Sequence, residues 1–396
     1  MRTFVMKGLV LATAVAGLLS QGCEITECEE DDCGIGGGGT GAGDVGTVSV
    51  ESLGTETIDS NGETELTVEV PAGATSFALV GEGLGGELAI ASKVTSPSGQ
   101  VVFDFNADIN TNRTDAQDVL YTLLVPTNPT VVMEEGDWLI HMMSGSNAID
   151  VDFTSIVKTQ PATDNTIDVN LYFAGLDPLD GSTAQTDEGF QAILAQVNSI
   201  YGGAGLTVRA INYFDVQGEQ YAVIDNDAEM QEMFTTVGRK SEQAVNIFFV
   251  ADLPFLGLAG GVPAPPILQG TPKSGVAANM SSYLAAVAAG DQAMIDEAAE
   301  EVVRIVAHET GHFLGLFHTV EKNGLGLAGE GINGEDPLSD TPACPDSADA
   351  DMNDQLGPSE CAGQGAENLM FWSPPAGSYG LTAQQGAIML ANPTVH

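Results

Sequence analysis

The stretch that decides the fold is His308-Glu309-Thr310-Gly311-His312-Phe313-Leu314-Gly315-Leu316-Phe317-His318, with the spacing H-E-x-x-H-x-x-G-x-x-H. On a helix, His308 and His312 stand one turn apart on the same face, where two imidazoles can bind one zinc ion. Glu309 follows the first of these ligands directly. Its carboxylate therefore projects beside the metal, where it can accept a proton from metal-bound water.

The end of this run supplies a third ligand. Gly315 suits a sharp chain reversal because glycine tolerates positive φ, and that reversal returns His318 toward the metal. Three protein nitrogens leave one tetrahedral position for water, which is the pattern of a catalytic zinc site. A zinc hydrolase of the thermolysin type, with a glutamate as third ligand, would continue the helix instead. Gly315 and His318 favour the break and return.

The run resembles the signature of the metzincin metalloproteases, in which a Met-turn follows it. Asn368-Leu369-Met370 resembles that turn, because Phe371, Trp372 and a proline pair come directly after it. The resemblance implies that Met370 forms a hydrophobic base beneath the zinc ion. It also implies a zinc-dependent endopeptidase in which Glu309 is the general base.

Within the metzincins, the chain is most similar to the pappalysin-like branch. Thr319 follows the third histidine, and Asp340-Thr341-Pro342 lies between that histidine and the Met-turn. Cys344 and Cys361 flank the same loop and could bridge it. Leu381-Thr382-Ala383-Gln384-Gln385, with apolar residues after it, resembles the start of the C-terminal helix of that family.

The chain departs from many metzincins at Trp372. Those enzymes carry a tyrosine two residues after the Met-turn methionine, and its hydroxyl can assist the transition state. Tyr379 is nearby in the sequence, but nothing assigns it this role. The resemblance also implies that the substrate lies extended along a sheet edge, which we place near Gly275-Val276-Ala277-Ala278.

The composition limits the classes of partner. The 396 residues include 55 Asp and Glu but only 11 Lys and Arg, which gives a net charge of −44. No basic cluster occurs anywhere, and so acidic a surface repels nucleic acid and anionic lipid. The expected partner is a protein or peptide substrate, with membrane contact only through a lipid anchor.

The N-terminus has the features of a targeting segment. Arg2 and Lys7 precede an apolar stretch from Leu9 to Leu19 that is too short to span a membrane as a mature anchor. Leu19-Ser20-Gln21-Gly22-Cys23 resembles a bacterial lipobox, although Ser20 and Gln21 depart from its usual residues. The protein is therefore expected to be exported, either as a lipoprotein of the cell surface or outer membrane with a lipid on Cys23, or by plain secretion.

The cysteine count agrees with a lipid on Cys23. Five cysteines are an odd number, and acylation of Cys23 leaves four. The local pairings are Cys28 with Cys33 and Cys344 with Cys361, and disulfides fit an exported protein. A rival use of Cys28 or Cys33 is a latency switch, with a thiolate in the open position of the zinc ion.

The pattern along the chain predicts a multidomain protein. Residues 1–22 form the signal peptide, and residues 23–45 are an acidic, then glycine-rich tether. Residues 46–158 show short alternating strands separated by turns and are predicted to be an all-β sandwich, similar to the jelly-roll domains beside secreted bacterial proteases. Residues 159–396 are predicted to be an α/β (α+β) metzincin-like catalytic domain with a mixed sheet.

Several elements of the catalytic domain can be placed from the sequence. Alternation and β-branching predict strands at Ile167–Phe173 and Leu206–Phe214, and a short apolar run predicts a central strand at Val245–Val250. An apolar stripe predicts a helix from Asp187 to Tyr201. Asp291 is the expected N-cap of the helix that carries the zinc ligands.

An acidic loop raises the question of calcium. Asp336, Asp340, Asp346, Asp349 and Asp351 crowd one stretch, and carboxylate oxygens are the ligands that calcium prefers. The loop has no EF-hand spacing, so it could equally be a solvated flap.

The alternative function is that of a catalytically inactive surface lipoprotein, acting as a binding or adhesion module. His308, Glu309, His312 and His318 are all present. An inactive site has no need of the base, so the intact set favours an enzyme.

Overall fold

The computed structural model describes residues 48–107, 109–162, 164–238, 243–323 and 336–396. The predicted signal peptide, the tether and the cysteines Cys23, Cys28 and Cys33 lie outside the described residues. Within the described ranges, no helix is long and apolar enough to cross a membrane.

The first part of the chain forms nine antiparallel strands in two sheets. They are β1 (Val48–Ile58), β2 (Thr64–Val70), β3 (Ser76–Glu82), β4 (Ala89–Thr95), β5 (Val101–Asp104), β6 (Ile109–Asn110), β7 (Tyr121–Val125), β8 (Gly136–Ser144) and β9 (Ile149–Lys158). One sheet has the order β1-β9-β3-β7 and the other β2-β8-β4-β5-β6. The chain thus passes repeatedly between the two sheets, with β4, β5 and β6 following one another in the same sheet, and the two sheets share one apolar core.

Strand β2 alternates apolar and polar residues, because one of its faces is buried and the other faces solvent. In β2, Leu66, Val68 and Val70 are buried and the residues between them are exposed. Trp138 of β8 is fully buried and packs edge-on against Phe77, with ring centroids 5.6 Å apart.

Strands β3 and β7 do not alternate, because both of their faces are covered. Phe77 and Leu79 of β3 point into the core between the two sheets. Ala78 and Val80 point the other way, into the core of the second part of the chain, and Leu124 of β7 does the same. The near-continuous apolar runs of these strands thus reflect burial on two sides.

The second part of the chain is a mixed α/β unit, as predicted. Its five-stranded sheet has the order β11-β10-β12-β14-β13, and every neighbouring pair is parallel except β13 with β14. The strands are β10 (Thr166–Ala174), β11 (Thr207–Asp215), β12 (Val245–Val250), β13 (Gly257–Ala259) and β14 (Val276–Asn279). The helices are α1 (Glu188–Gly203), α2 (Asp227–Val237), α3 (Ser281–Ala289), α4 (Gln292–Phe313) and α5 (Ala383–Ala391).

Two helix starts agree with the sequence. The Asp187 side chain accepts a hydrogen bond from the backbone N–H of Phe190 at 2.7 Å, which caps α1. The Asp291 side chain accepts one from the N–H of Ala293 at 3.0 Å, which caps α4. Helix α1 continues to Gly203, slightly beyond the predicted end.

The predicted position of the open sheet edge is wrong. Strand β14 is covered by β13, with Gly257 opposite Ala278 and Ala259 opposite Val276. The edge on this side of the sheet is therefore β13, an antiparallel strand of three residues. Its sequence, Gly-Leu-Ala, contains no alternation that could have marked it as a strand.

The sandwich and the α/β unit are joined through a buried lysine. Lys158, at the end of β9, is only 1% exposed. Its Nζ donates hydrogen bonds to the carbonyl oxygens of Leu390 at 2.7 Å, Asn392 at 3.1 Å and Val395 at 2.9 Å. The segment after α5 is thereby held against the sandwich.

Candidate zinc centre and active-site cleft

Helix α4 places the first two histidines and the glutamate. The helix is amphipathic, and its buried stripe of Ala298, Val302 and Ile305 leads directly to the histidines. His308 and His312 are buried on the same face, and their ring centroids are 4.6 Å apart.

The chain reverses direction after α4 at a glycine. Gly315 has φ +104°, a conformation that favours glycine, and its N–H donates to the His312 carbonyl oxygen at 2.9 Å. The reversal brings His318 back to the helix. Its Nε2 lies 3.2 Å from His308 Nε2 and 3.0 Å from His312 Nε2.

The donor set fits a metal ion. Neutral imidazole nitrogens that point at one another repel unless a proton or a cation lies between them, and three of them converge here. Three histidine nitrogens are also the ligands of catalytic zinc sites. The residues present therefore match the zinc ion that the sequence predicts.

Each imidazole is oriented through its other nitrogen. His308 Nδ1 donates to the Leu369 carbonyl oxygen at 2.7 Å, and His312 Nδ1 donates to the Leu316 carbonyl oxygen at 2.7 Å. His318 Nδ1 donates instead to the Glu321 carboxylate, with 3.0 Å between Nδ1 and Oε2. Such partners fix the tautomer that leaves Nε2 free to bind a metal.

Burial controls the charge of the site. It lowers the pKa of His308 to about 3, helped by the nearby His318, and it lowers the pKa of His312 well below its usual value. Both rings are therefore neutral at neutral pH, as metal ligation requires. Burial raises the pKa of Glu309 to about 7, against the hydrogen bond from the Ala259 N–H, which lowers it.

Met370 lies directly beneath the ligand helix. A β-carbon built on Gly311 would be 2.7 Å from Met370 Sδ, so the absence of a side chain at Gly311 makes room for the methionine. Met370 is fully buried, its N–H donates to Asn368 Oδ1 at 2.8 Å, and its carbonyl oxygen accepts from the Thr319 N–H at 3.0 Å. Met370 therefore packs directly against Gly311, between the two histidines of α4.

The aromatic residue after this turn has a different partner. The indole N–H of Trp372 donates to the Leu356 carbonyl oxygen at 2.7 Å, which occupies its only donor. Tyr379 donates to Glu300 Oε1 at 2.9 Å. Among the described residues, no tyrosine lines the cleft around the histidines.

The site opens into a cleft of about 390 Å³. Strand β13 borders one side, and Trp372 and Glu321 border the other. Asp115 also lines the cleft, although it belongs to the loop between β6 and β7 of the sandwich. The cleft wall is therefore built from both parts of the chain.

Residues 241–388 match the sequence model of the peptidase family described as pregnancy-associated plasma protein-A, Peptidase_M43. The matched region contains all three histidines, Glu309 and Met370. The catalytic region is a pappalysin-like metzincin. Its activity class is that of a zinc metalloendopeptidase.

Three solved structures share limited similarity with this chain. Mirolysin in complex with compound 9 is 16% identical, covers 57% of this chain and 91% of that chain, and has a TM-score of 0.36. A zinc-dependent peptidase from Methanocorpusculum labreanum is 12% identical, with coverages of 38% and 82% and a TM-score of 0.24. Metalloproteinase-II from Bacteroides fragilis is 14% identical, with coverages of 46% and 51% and a TM-score of 0.27. No curated protein sequence matches the chain.

The loop between the ligand run and the Met-turn of this metzincin carries the one disulfide of the described residues. Cys344 and Cys361 are bonded, with their Cα atoms 5.5 Å apart. Both sulfurs are buried in a small apolar cluster with Val320, Leu356 and Phe371. The disulfide therefore lies in the same cluster that packs against Trp372.

Of the five aspartates considered as calcium ligands or as part of a solvated flap, only two come together. The carboxylates of Asp349 and Asp351 lie with that of Glu360 within 4.8 Å of one another. Asp336 and Asp340 are not in this group, since their carboxylates accept hydrogen bonds elsewhere in the metzincin region. The five therefore do not form one site.

Sequence reasoning missed three residues near the metzincin centre. Glu321 stands three residues after His318, and that spacing was its only local signal. Arg113 and Asp115 come from the sandwich, and nothing in their local sequence links them to a site about 200 residues later.

Proposed function

We propose that this protein is a zinc-dependent endopeptidase that hydrolyses peptide bonds of extracellular proteins, with Glu309 as general base. The observation that carries the proposal is the convergence of three histidine Nε2 atoms beside the Glu309 carboxylate in an open cleft. A catalytically inactive binding or adhesion module has no need for that carboxylate.

The metal would be held by His308, His312 and His318. When bound, zinc supplies Lewis acidity, which lowers the pKa of a ligated water and polarises a carbonyl group. The protein contributes three neutral imidazoles whose Nδ1 atoms are already engaged, so their orientation is set in advance.

Glu309 moves the proton. Its Oε2 accepts a hydrogen bond from the Ala259 N–H at 2.9 Å, which holds the carboxylate against β13. Among the described residues, Oε1 has no hydrogen-bond partner, and Glu309 lines the cleft. Oε1 therefore accepts the proton of the attacking water and passes it to the amine nitrogen that leaves.

Strand β13 is the proposed support for the substrate. It is the sheet edge that borders the cleft, and the inward hydrogen bonds at Leu256 and Gly260 leave the backbone of Gly257 and the carbonyl oxygen of Ala259 directed away from β14. An extended peptide can bind by adding a strand to such an edge.

The location is proposed from the sequence. We place the enzyme outside the cytoplasm, as a lipoprotein anchored through Cys23 by the 23–45 tether, or secreted. The Cys344–Cys361 disulfide supports an oxidising compartment. Labelling of the full chain with a radioactive fatty acid tests the anchor. Label in the wild type that is absent from Cys23→Ser is expected, and equal label in both contradicts it.

Calcium binding stays a hypothesis, now limited to Asp349, Asp351 and Glu360. These carboxylates already accept backbone N–H groups of their own loop. Calcium titration of the zinc-loaded protein tests the hypothesis. A melting temperature independent of calcium removes it.

The function is tested with Glu309→Gln, which keeps the shape of the side chain but not its basicity. Zinc content and cleavage of a denatured protein are measured for the full chain. We expect about one zinc in both proteins, with turnover reduced by 10²-fold or more in the variant. Glu297→Gln, an exposed glutamate of the same helix, is the matched control and should behave as wild type.

The outcomes of this experiment distinguish an active peptidase from a binding module. Cleavage by the wild type that a chelator removes and Glu309→Gln lacks supports the enzyme and its base. Zinc without cleavage in the wild type favours the binding module, and full activity in Glu309→Gln rejects the base.

The third ligand has its own prediction. His318→Ala removes one of three nitrogens, so we expect weaker zinc binding in a chelator competition. Unchanged zinc content would instead indicate a site of two histidines with a distant carboxylate.

A further inference from the structure

A loop of the sandwich is fixed rigidly against the zinc centre. Asn112 is fully buried, and its Nδ2 donates to the Leu124 carbonyl oxygen at 3.0 Å while its Oδ1 accepts from the Thr127 N–H at 2.7 Å. The Arg113 N–H donates to Thr127 Oγ1 at 2.7 Å. The backbone of this loop therefore has little freedom where it meets the catalytic region.

The Arg113 side chain reaches from this loop to residues of the centre. Its guanidinium carbon lies 4.3 Å from the centroid of the Phe317 ring, and Nη2 lies 4.0 Å from Glu321 Oε1. Nε and Nη2 both lie 3.4 Å from Asp115 Oδ1. The side chain is only 3% exposed, so solvent screens these charge interactions little.

Glu321 connects this arginine to a metal ligand. Its Oε2 accepts from His318 Nδ1 at 3.0 Å, and its Oε1 faces Arg113. Phe317, which Arg113 covers, directly precedes His318 in the chain. The arginine therefore contacts both the residue before the third ligand and the carboxylate that orients it.

His318 is the ligand that most needs such support. His308 and His312 are fixed by helix α4, by burial and by backbone carbonyl oxygens. His318 follows the Gly315 reversal, is 23% exposed, and depends on a side chain for its Nδ1 partner. A side-chain partner can rotate away unless something holds it.

We propose that the sandwich completes the metal centre, with Arg113 as a positioning residue that acts on His318 through Glu321. Asp115 holds the other side of the guanidinium. This inference rests on the proposed zinc function. It assigns the β-sandwich an indirect part in metal binding, because one of its residues positions the carboxylate that orients a ligand.

The test is the affinity of the full chain for Zn²⁺, measured by competition with a chromophoric chelator. The variants are Arg113→Met, Glu321→Gln and the double variant. Loss of such a partner typically weakens metal binding 10–100-fold, so we expect each single variant to lose about that much. The double variant should lose little more than either single one, because the two residues act in sequence.

Two further variants test whether Zn²⁺ affinity depends on the positive charge of residue 113 and whether loss of an arginine elsewhere has the same effect. Arg113→Lys keeps the positive charge and should recover part of the lost affinity. Arg209→Met is the matched control, because Arg209 forms an ion pair with Asp168 at 2.6 Å but is 58% exposed and does not line the cleft. It should bind Zn²⁺ as the wild type does.

A second measurement shows whether Arg113 only stabilises the fold. The melting temperature of the metal-free protein is measured for every variant. Wild-type Zn²⁺ affinity in Arg113→Met with a lowered melting temperature overturns the proposal, because the arginine is then only a packing element. If Arg113→Met does not fold, wild-type affinity in Glu321→Gln overturns it. Absence of Zn²⁺ binding by the wild type would reject the proposed function itself.

Discussion

At the scale of single residues, Gly311 lies between the two helical ligands and faces the sulfur of the Met-turn. The absence of a side chain at this position of the ligand run leaves the space that Met370 occupies. A side chain at this position would meet Met370 Sδ at 2.7 Å and Met370 Cε at 3.3 Å. The methionine is fully buried, so its movement would disturb the turn whose Leu369 carbonyl oxygen holds His308.

Gly311→Ala is therefore expected to destabilise the protein although alanine favours helices. Overpacking of a core costs about 1–3 kcal/mol, more than the roughly 1 kcal/mol gained in helix propensity. Urea unfolding measures the change. The matched control is Gly202→Ala in α1, where a β-carbon meets nothing within 4 Å, so no loss is expected. Equal effects of the two substitutions would contradict the proposed contact.

The ligand residues could be predicted from the sequence because they are local. His308, Glu309 and His312 share one helix, and Gly315 marks its end. Glu321 and Arg113 had no sequence signal as strong as that of the ligands, because their roles depend on contacts that form only in the folded chain. Sequence spacing therefore predicts the three histidines that converge in the structure, but not the residues that we propose to position the third one.

At the scale of elements, strand β13 is the largest difference between expectation and structure. Strands β10, β11 and β12 were predictable from alternation and apolar runs, an apolar stripe located α1, and Asp291 located the start of α4. The three residues of β13 have no pattern of their own and become a strand only by pairing with β14. Helix α2 was also missed, although Asn226 caps it and could have marked its start.

Gly257 of β13 is predicted to control the distance between this strand and α4. A β-carbon there would lie 2.4 Å from Ile305 Cγ2 and 3.0 Å from Glu309 Cγ. Gly257→Ala should push β13 away and weaken the Ala259 N–H bond to Glu309. A hydrogen bond to a charged group contributes about 1.5–3 kcal/mol, so kcat/KM should fall roughly 10–100-fold.

Steady-state kinetics on a peptide substrate measure this loss. Gly203→Ala in α1, with nothing within 4 Å of its added β-carbon, is the control. Wild-type kcat/KM in Gly257→Ala would show that the strand tolerates displacement.

At the scale of the whole molecule, the two parts of the chain share one core. Ala78, Val80, Leu124 and Ile156 of the sandwich pack in the same apolar cluster as residues of α1, α4 and α5. The sequence predicts an all-β segment followed by an α/β segment, with little to indicate this joint burial. The only signal was the lack of alternation in β3 and β7, which buried strands with two covered faces require.

We therefore expect the described parts to unfold together. Calorimetry of the full chain should show a single transition for the sandwich and the α/β unit. Lys158→Met leaves the carbonyl oxygens of Leu390 and Val395 without their donor, while that of Asn392 keeps the Val395 N–H, and should cost at least about 2 kcal/mol. Lys93→Met, a partly exposed position on β4, serves as control. Two separate transitions in the wild type would contradict joint unfolding.

The disulfide between Cys344 and Cys361 makes the shape of the cleft depend on the surrounding chemistry. It closes the loop beneath Trp372, and reduction would return that loop to an open chain with greater freedom. Helix α4 would keep its histidines, since none of its bonds involves the cysteines. A thiol-rich medium would therefore loosen the wall at Trp372 together with Val320, two residues after His318 and in the same apolar cluster, while the two histidines of the helix keep their positions.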